Sequence, residues 1–596
     1  MKDGFVKVGA VVPEVRPGDC AFNAGKITEC ITKAASEGVR LIVLPELCVA
    51  GCTCGDLFLQ GSLLNSAQQA IKKIVAETAR FDIVCAVGAP LRLNGRVHNC
   101  GVVFTGGEII GIVPKRGLKA DEQRYFSAGE RSCRFVCRDI PDLDFEVTVG
   151  SDRPVSGADI VLQMTAEPEI VGHERYIRAA ASVLSYENRC ILVSAGAGAG
   201  ESTAGAVYPG RVMIYENGRE LFAGSGLTGC ESCTADADVG YIAYERRRRG
   251  AVPAADCNIM EFTLRPAATD LTRKFSQTPF VPHDAEELAE RCETVLLIQQ
   301  NALKKRAEHT AARNFVVGIS GGLDSTLALI VSHRVAAAVP DIGVIAVTMP
   351  CFGTTERTKG NAEKLAELLG SSLRTVDITG AVNQHFRDIG HDPELHNAAF
   401  ENAQARERTQ VLMDIANDTN GLVVGTGDMS ELALGWATYG GDQMSMYGVN
   451  AGVPKTLMQR IVEHCAGTCG EPELAAVLRD IVATPISPEL LPRQKTEDSV
   501  GPYELHDFFL YHMIRRGSSP AKIYRIAQEA FAGKYDSETI LNWLKTFCRR
   551  FFSQQFKRSC SPDSARIGTV SLSPADFRLP SDICGRLWLE EAEGLK

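Results

Sequence analysis

The sequence lacks any uncharged apolar run long enough to cross a bilayer. Its opening residues, MKDGFVKVGAVVP, lack the apolar centre of a secretory signal and read as a first strand. Both absences predict a soluble cytoplasmic chain with no membrane partner. A basic excess is missing too: the net charge is −10, which leaves no electrostatic footprint for nucleic acid. The one dense basic run, ERRRR at 245–249, reads as a solvated or subunit-contact face. Cysteine is plentiful, with 20 residues, but a chain without a secretory signal is expected to keep them as reduced thiols. Neither Cys52-Thr53-Cys54 nor the pair Cys465 and Cys469 beside His464 has the C-x-x-C spacing of a zinc site.

What remains is ordinary for a globular protein: 45% hydrophobic and 23% charged residues over 596 positions, enough for two to four domains. The most informative stretch is NFVVGISGGLDSTLALIVS at 314–332. Residues 315–319 are apolar and β-branched, a buried strand. From Thr326 a helix is expected, with Leu323, Leu327 and Ile330 near one face. The turn between them, Ser320-Gly321-Gly322-Leu323-Asp324-Ser325, places backbone N–H groups at a helix start, which suits an anion. Two glycines permit close approach, two serines add donors, and Asp324 can hold a divalent cation. The G-x-x-x-x-G-K-[ST] loop is absent. The turn instead resembles the SGGxDS pyrophosphate loop of the ATP pyrophosphatases, which cleave ATP to AMP and pyrophosphate.

The first half alternates expected strands (6–12, 41–44, 84–88, 100–104) with a helix over 22–38, an α/β layered pattern. Leu44-Pro45-Glu46-Leu47 with the following GCTCGDLF, Gly111-Ile112-Val113-Pro114-Lys115, and the 193–203 segment resemble the nitrilase (carbon–nitrogen hydrolase) family. The resemblance implies an α-β-β-α sandwich and a Glu–Lys–Cys triad that hydrolyses an amide, with Glu46 as base and Lys115 stabilising the tetrahedral intermediate. The third member is missing. Aligning Phe145, Val147, Val149 and Asp152 on the family segment puts Gly150 in the cysteine position, and a one-residue slip would put Ser151 there. Cys137 lies before that strand and Cys190 opens the next. The loops after Ser151 and between Lys115 and Arg124-Tyr125-Phe126 are short as well. Natural loss of glutaminase activity, a working Ser151 or unrecognised cysteine, and an introduced substitution all stay open, though the last would not explain the short loops.

A boundary is expected near 265–280, giving a nitrilase-like amidotransferase domain at 1–270 and a second domain at 280–596. After the pyrophosphate loop, strands (344–349, 373–378, 422–425) and helices (356–369, 400–417) alternate, predicting a doubly wound parallel sheet with ligands beyond the strand ends. NAQARER at 402–408, GTGDMSELALG at 425–435, TYGGD at 438–442, VNAGVPKT at 449–456, TPISPELL at 484–491, GPYELHD at 501–507 and QFKR at 555–558 resemble NAD synthetases of the long, glutamine-dependent kind. The resemblance implies adenylation of the carboxylate of deamido-NAD by ATP, loss of pyrophosphate, and displacement of AMP by ammonia. Ser320, Gly321, Gly322, Asp324 and Ser325, with Arg406 and Thr426, would bind ATP and pyrophosphate. Asp442, Lys455 and Lys557 would contact deamido-NAD or phosphates, and Asp324 and Glu431 would hold Mg²⁺. Because the cysteine is missing, free ammonia is expected as the nitrogen source. The alternatives are full glutamine dependence through an atypical nucleophile, or a first domain kept for assembly or regulation. A homo-oligomer, up to an octamer, is the expected assembly.

Overall fold

The computed structural model describes residues 3–250, 255–353, 356–485, 490 and 496–595. Within TPISPELL, residues 486–489 and 491 therefore lie outside the described residues, as does 251–254 near the expected boundary. The chain divides into two compact units, residues 1–273 and 274–596.

The first unit is built on two sheets. Among the described residues, one runs Ser232–Asp238, Phe5–Val11, Leu41–Val43, Val84–Leu93, Arg96–Thr105, Glu108–Pro114 in spatial order. The other runs Arg219–Ser225, Arg211–Glu216, Ile191–Gly196, Ile160–Thr165, Asp144–Val149, Cys133–Cys137, Asn258–Phe262. Val8, Val43, Ala86 and Val103 from the first meet Phe145, Val147, Leu162 and Val193 from the second in one core. Strands buried on both faces need continuous apolar runs, and FVKVGAV and ILVSAG supply them. Helices Cys20–Ser36 and Gly61–Thr78 cover the outside of the first sheet. Helix Glu174–Glu187 covers part of the second, through Ala181. This is the expected α-β-β-α sandwich.

Two readings change here. The basic run ends helix Val239–Arg249, but Arg246 turns inward. Its guanidinium donates to the carbonyls of Gly157, Ala158, Asn188 and Arg189 and pairs with Asp159, because orphan carbonyls at those chain turns need donors. A C-x-x-C spacing does exist at Cys230 and Cys233, within and just before strand Ser232–Asp238.

The second unit carries a parallel sheet in the order Ser372–Thr375, Gly343–Thr348, Asn314–Gly318, Gly421–Gly425, Tyr447–Gly448. Helices lie on both faces: Leu323–Ala338 and Lys455–Thr468 on one, Thr379–Ile389 and Ala398–Asp418 on the other. The chain winds outward from Asn314–Gly318 and returns to place Gly421–Gly425 on its other side. The strand order therefore reverses between these two, the crevice where such sheets bind ligands. Helix Leu323–Ala338 is buried from Ser325 to Ser332 without a solvent face, since the sheet and two further helices, Ala285–Thr310 and Lys455–Thr468, enclose it. Among the described residues no helix is long and apolar enough to cross a membrane.

Candidate active sites

In the first unit Glu46, Lys115 and Gly150 follow the carboxyl ends of strands Leu41–Val43, Glu108–Pro114 and Asp144–Val149, so strands of both sheets deliver them to one end of the sandwich. Lys115 Nζ donates to Glu46 Oε1 at 2.7 Å and to Glu122 Oε1 at 2.5 Å. Asn99 Nδ2 donates to the same Glu46 oxygen at 2.6 Å. Glu46, Lys115 and Asn99 are all fully buried. Burial pushes the Glu46 carboxyl up and the ammonium beside it pulls it part of the way back. Burial would lower Lys115, but Glu46 and Glu122 outweigh it and the ammonium holds its proton tightly.

Gly150 settles the register. Its φ is +64°, and a Cβ built on it would overlap Lys115 Cε and Nζ and stand 3.3 Å from Glu46 Oε2. Position 150 therefore faces the pair, while Ser151 is exposed and the working-Ser151 reading loses its geometry. Asp152 is spent on the loop, accepting from the Arg116 and Gly117 amides at 2.9 and 2.7 Å. Glu122 and Asn99 were not singled out from sequence. Glu122 lies in a short turn near the lysine, which is a signal of sorts; Asn99 is a mid-strand residue with none.

In the second unit the 320–325 turn joins strand Asn314–Gly318 to helix Leu323–Ala338, whose cap, Gly322, offers no side-chain acceptor. The first helical N–H groups thus stay available. Gly321 has φ +82°, and a Cβ there would overlap the Thr358 carbonyl oxygen. Asn450, fully buried, donates to the backbone oxygens of Asp324 and Thr426 at 2.9 and 3.1 Å and so ties the two strand ends together.

Ser320, Asp324, Ser325, Thr426, Glu431, Asp442 and Lys557 all line one cavity of about 340 Å³. Lys455 stands at its acidic corner, with Nζ 2.6 Å from Asp324 Oδ1, 3.2 Å from Glu431 Oε1 and paired with Asp428. Burial would lower the Lys455 ammonium, but the three carboxylates raise it well above its ordinary value. Burial likewise raises Asp428, and it takes Glu431 up to about 7. Burial raises Asp442, which accepts from Thr438 N at 2.7 Å. Burial lowers Lys557, which donates to the Gly435 and Ala437 carbonyls at 2.8 and 2.7 Å. Arg406 is not brought to the cavity: it is exposed and holds the Tyr439 carbonyl at 3.1 Å. Arg408, two residues on, lines the cavity instead. Asp428, also not singled out, caps helix Met429–Leu434 by accepting from Glu431 N at 2.8 Å. The D-x-x-E spacing of a capping box was its signal.

A doubly wound sheet with a glycine-rich anion loop, joined to a nitrilase-like sandwich, defines a two-unit synthetase of the amide-forming class. Residues 296–550 match the NAD synthase family and residues 7–151 the carbon–nitrogen hydrolase family. The chain is 35% identical over 665 aligned positions to the glutamine-dependent NAD(+) synthetase of Mycobacterium tuberculosis, covering 99% of this chain and 98% of that one. It is 34% identical to that of Mycobacterium leprae, with the same coverage, and 25% identical to that of Thermotoga maritima, covering 94% and 96%. The chain belongs to the family of glutamine-dependent NAD(+) synthetases. It is an ATP-using carbon–nitrogen ligase of NAD biosynthesis with a nitrilase-like amidotransferase domain. An alignment longer than the 596 residues of this chain means that the mycobacterial relative carries segments this chain lacks.

One expectation is overturned. Free ammonia as the main nitrogen source conflicts with the eight relatives compared, which down to 24% identity are glutamine-dependent NAD(+) synthetases. The expectation rested on the missing cysteine and on the short loops after Ser151 and after Lys115. Glu46 and Lys115 nevertheless remain assembled as a buried pair, and Glu201 from the late loop is buried against residues 52 and 53.

Proposed function

We propose that the chain amidates deamido-NAD to NAD with ATP and Mg²⁺, taking the nitrogen from glutamine through a nucleophile other than residue 150. The observation that carries this reading is the meeting of the 320–325 loop with Asp324 and Glu431 in one cavity, with a carboxylate oxygen of buried Asp428 within 4.8 Å of theirs. A carboxylate is a poor electrophile, so it must be activated before an amine can displace anything from it. The loop amides, with Ser320 and Ser325, would bind the leaving pyrophosphate.

Three hard carboxylate oxygens within 4.8 Å of one another fit a magnesium ion. When bound there, Mg²⁺ would neutralise charge on the ATP phosphates. Asp324 and Glu431 would hold it, with Asp428 behind them. Lys455 would turn from the carboxylates toward a phosphate, and Thr426 and Arg408 would face the nucleotide. Asp442 and Lys557, which line the same cavity, would bind the dinucleotide substrate. Arg406, by contrast, has a structural partner in the Tyr439 carbonyl.

The test supplies the purified full chain with ATP, Mg²⁺, deamido-NAD and glutamine, and measures NAD, AMP, pyrophosphate and glutamate. All four are expected in equal amounts. Absence of NAD with glutamine would overturn the glutamine assignment. Absence of AMP in any NAD-forming mixture would overturn the adenylation step.

A further inference from the structure

Helix Lys455–Thr468 begins without a capping side chain of its own, because the residue before it is Pro454. The first N–H groups of a helix need acceptors, and here other segments supply two. Ser430 Oγ accepts from Lys455 N at 2.9 Å. Asp507 Oδ2 accepts from Thr456 N at 2.9 Å and from the Thr456 hydroxyl at 2.6 Å. The other oxygen of Asp507 accepts from the Ser430 hydroxyl. Asp507 is fully buried and lies 51 residues along the chain from Thr456.

These contacts join two helix starts, and both starts carry groups of the acidic corner. Ser430 and Glu431 stand in the first turn of helix Met429–Leu434, whose cap is Asp428. Lys455 is the first residue of the other helix, and its ammonium pairs with Asp324, Asp428 and Glu431. Asp507 belongs to a third helix, Tyr503–Leu510, in which Tyr503 stands four residues earlier on the same face. The Tyr503 ring lies against the Lys455 ammonium, with its centroid 5.1 Å from Nζ. One face of this third helix thus holds both the side chain of Lys455 and the helix start that carries it. A carboxylate suits the task. Its two oxygens accept from two segments at once, and its charge is favoured at a helix N-terminus.

From this arrangement we infer that Asp507 is a positioning residue of the amide-forming site, setting the spacing between the helix that carries Glu431 and the helix that begins with Lys455. The inference rests on the reading of Asp324 and Glu431 as the Mg²⁺ ligands. Asp507 does not line the cavity, so it acts through Ser430 and Thr456. Without it the Thr456 N–H and hydroxyl lose their buried acceptor. The start of the Lys455 helix then shifts relative to Glu431, and the ammonium and the carboxylates no longer meet at the distances the site needs. A displacement of about 1 Å at such a site lowers the rate on the order of 100-fold.

The experiment compares the full chain with its D507A, D507N, D536A and E431Q variants, all assayed below the Tm of the least stable. Asp536 caps helix Ser537–Ser553 by accepting from Thr539 N at 2.7 Å, and D536A reports what the loss of a helix cap does alone. Mg²⁺ binding is read without substrates, from the rise of Tm with Mg²⁺ concentration. The kcat, and KM for deamido-NAD, are read from NAD formation with ammonium. D507A should weaken Mg²⁺ binding at least ~10-fold and lower kcat by about 100-fold, with KM for deamido-NAD unchanged. D507N keeps one oxygen for Thr456 and should fall between D507A and the unsubstituted chain; it carries the comparison if D507A does not fold. D536A should lower Tm and leave both Mg²⁺ binding and kcat as they were. A D507 variant with a lowered Tm but unchanged Mg²⁺ binding and kcat would overturn the inference, and so would equal shifts in D536A. If E431Q binds Mg²⁺ as the unsubstituted chain does, the underlying metal reading falls, and this inference with it.

Discussion

Lys115 occupies the space that the first side-chain carbon of residue 150 would fill, with Gly150 at φ +64° directly over it. The lysine is held there by two carboxylates, Glu46 and Glu122. The glycine and the lysine position are thus mutually dependent: neither could be as it is if residue 150 carried a side chain.

Replacing Gly150 by Ala therefore has two costs. A left-handed backbone disfavours any Cβ by about 1–2 kcal/mol. The new methyl must also push the Lys115 terminus off a buried ion pair. We expect G150A to lower the stability of the first unit by roughly 2–4 kcal/mol, read as a shift in the urea midpoint. G150C should be destabilised by a similar amount. An unchanged midpoint for G150A would show that Lys115 is free to leave its place.

The 320–325 loop depends on Gly321 in the same way. With φ +82° and the Thr358 carbonyl oxygen where a Cβ would stand, G321A must move the backbone that carries the loop amides. NAD formation should fall by at least ~100-fold with both glutamine and ammonium. Equal losses with the two donors would separate a loop defect from an amidase defect.

Much of this was legible in the sequence, because it depends on local pattern. The strand–turn–helix at 314–338 and the strand ends bearing Glu46 and Lys115 follow from apolar runs broken by glycine or proline. Short-range chemistry could not settle Arg406 against Arg408: both lie within one polar turn of helix Ala398–Asp418, and helix rotation decides which faces the cavity. The Glu46–Lys115 pair was expected from the resemblance, but Asn99 beside it, 53 residues from Glu46, and the carboxylates around Lys455, up to 131 residues away, were out of reach. Nor did the edge strand Ser372–Thr375 follow its expected span, since all four of its residues are exposed and no buried face fixes its limits.

Lys455 is the counter-ion of an acidic corner that also suits Mg²⁺. Its replacement by Met leaves Asp324, Asp428 and Glu431 without their cation, and an uncompensated buried charge costs about 3–5 kcal/mol. K455M should be destabilised by that order in buffer with a chelator. Mg²⁺ should then raise its Tm by more than it raises the Tm of the unsubstituted chain, because the ion no longer competes with an ammonium. A smaller Mg²⁺ shift in K455M would remove the three carboxylates as the metal site. D324A should abolish NAD formation and lose most of the Mg²⁺ response.

His506 gives the second unit a pH dependence of definite sign. It is fully buried, its ring stacks on Phe547 with centroids 6.0 Å apart, and Nδ1 has no partner. Burial lowers its pKa from 6.5 to about 4. The unfolded chain therefore binds a proton below pH 6.5 that the folded chain refuses until about pH 4. Stability is complete above the unfolded value and declines as the pH falls from there toward 4. At pH 5 the loss from this one group is roughly 2 kcal/mol. Carboxylates elsewhere contribute equally to a variant, so the comparison isolates the histidine. H506Q should be less stable than the unsubstituted chain at pH 7.5, having lost shape and packing. The gap should narrow by roughly 2 kcal/mol at pH 5, as measured by urea unfolding at the two pH values. A gap that stays constant between them would mean that the imidazole is protonated in the folded chain.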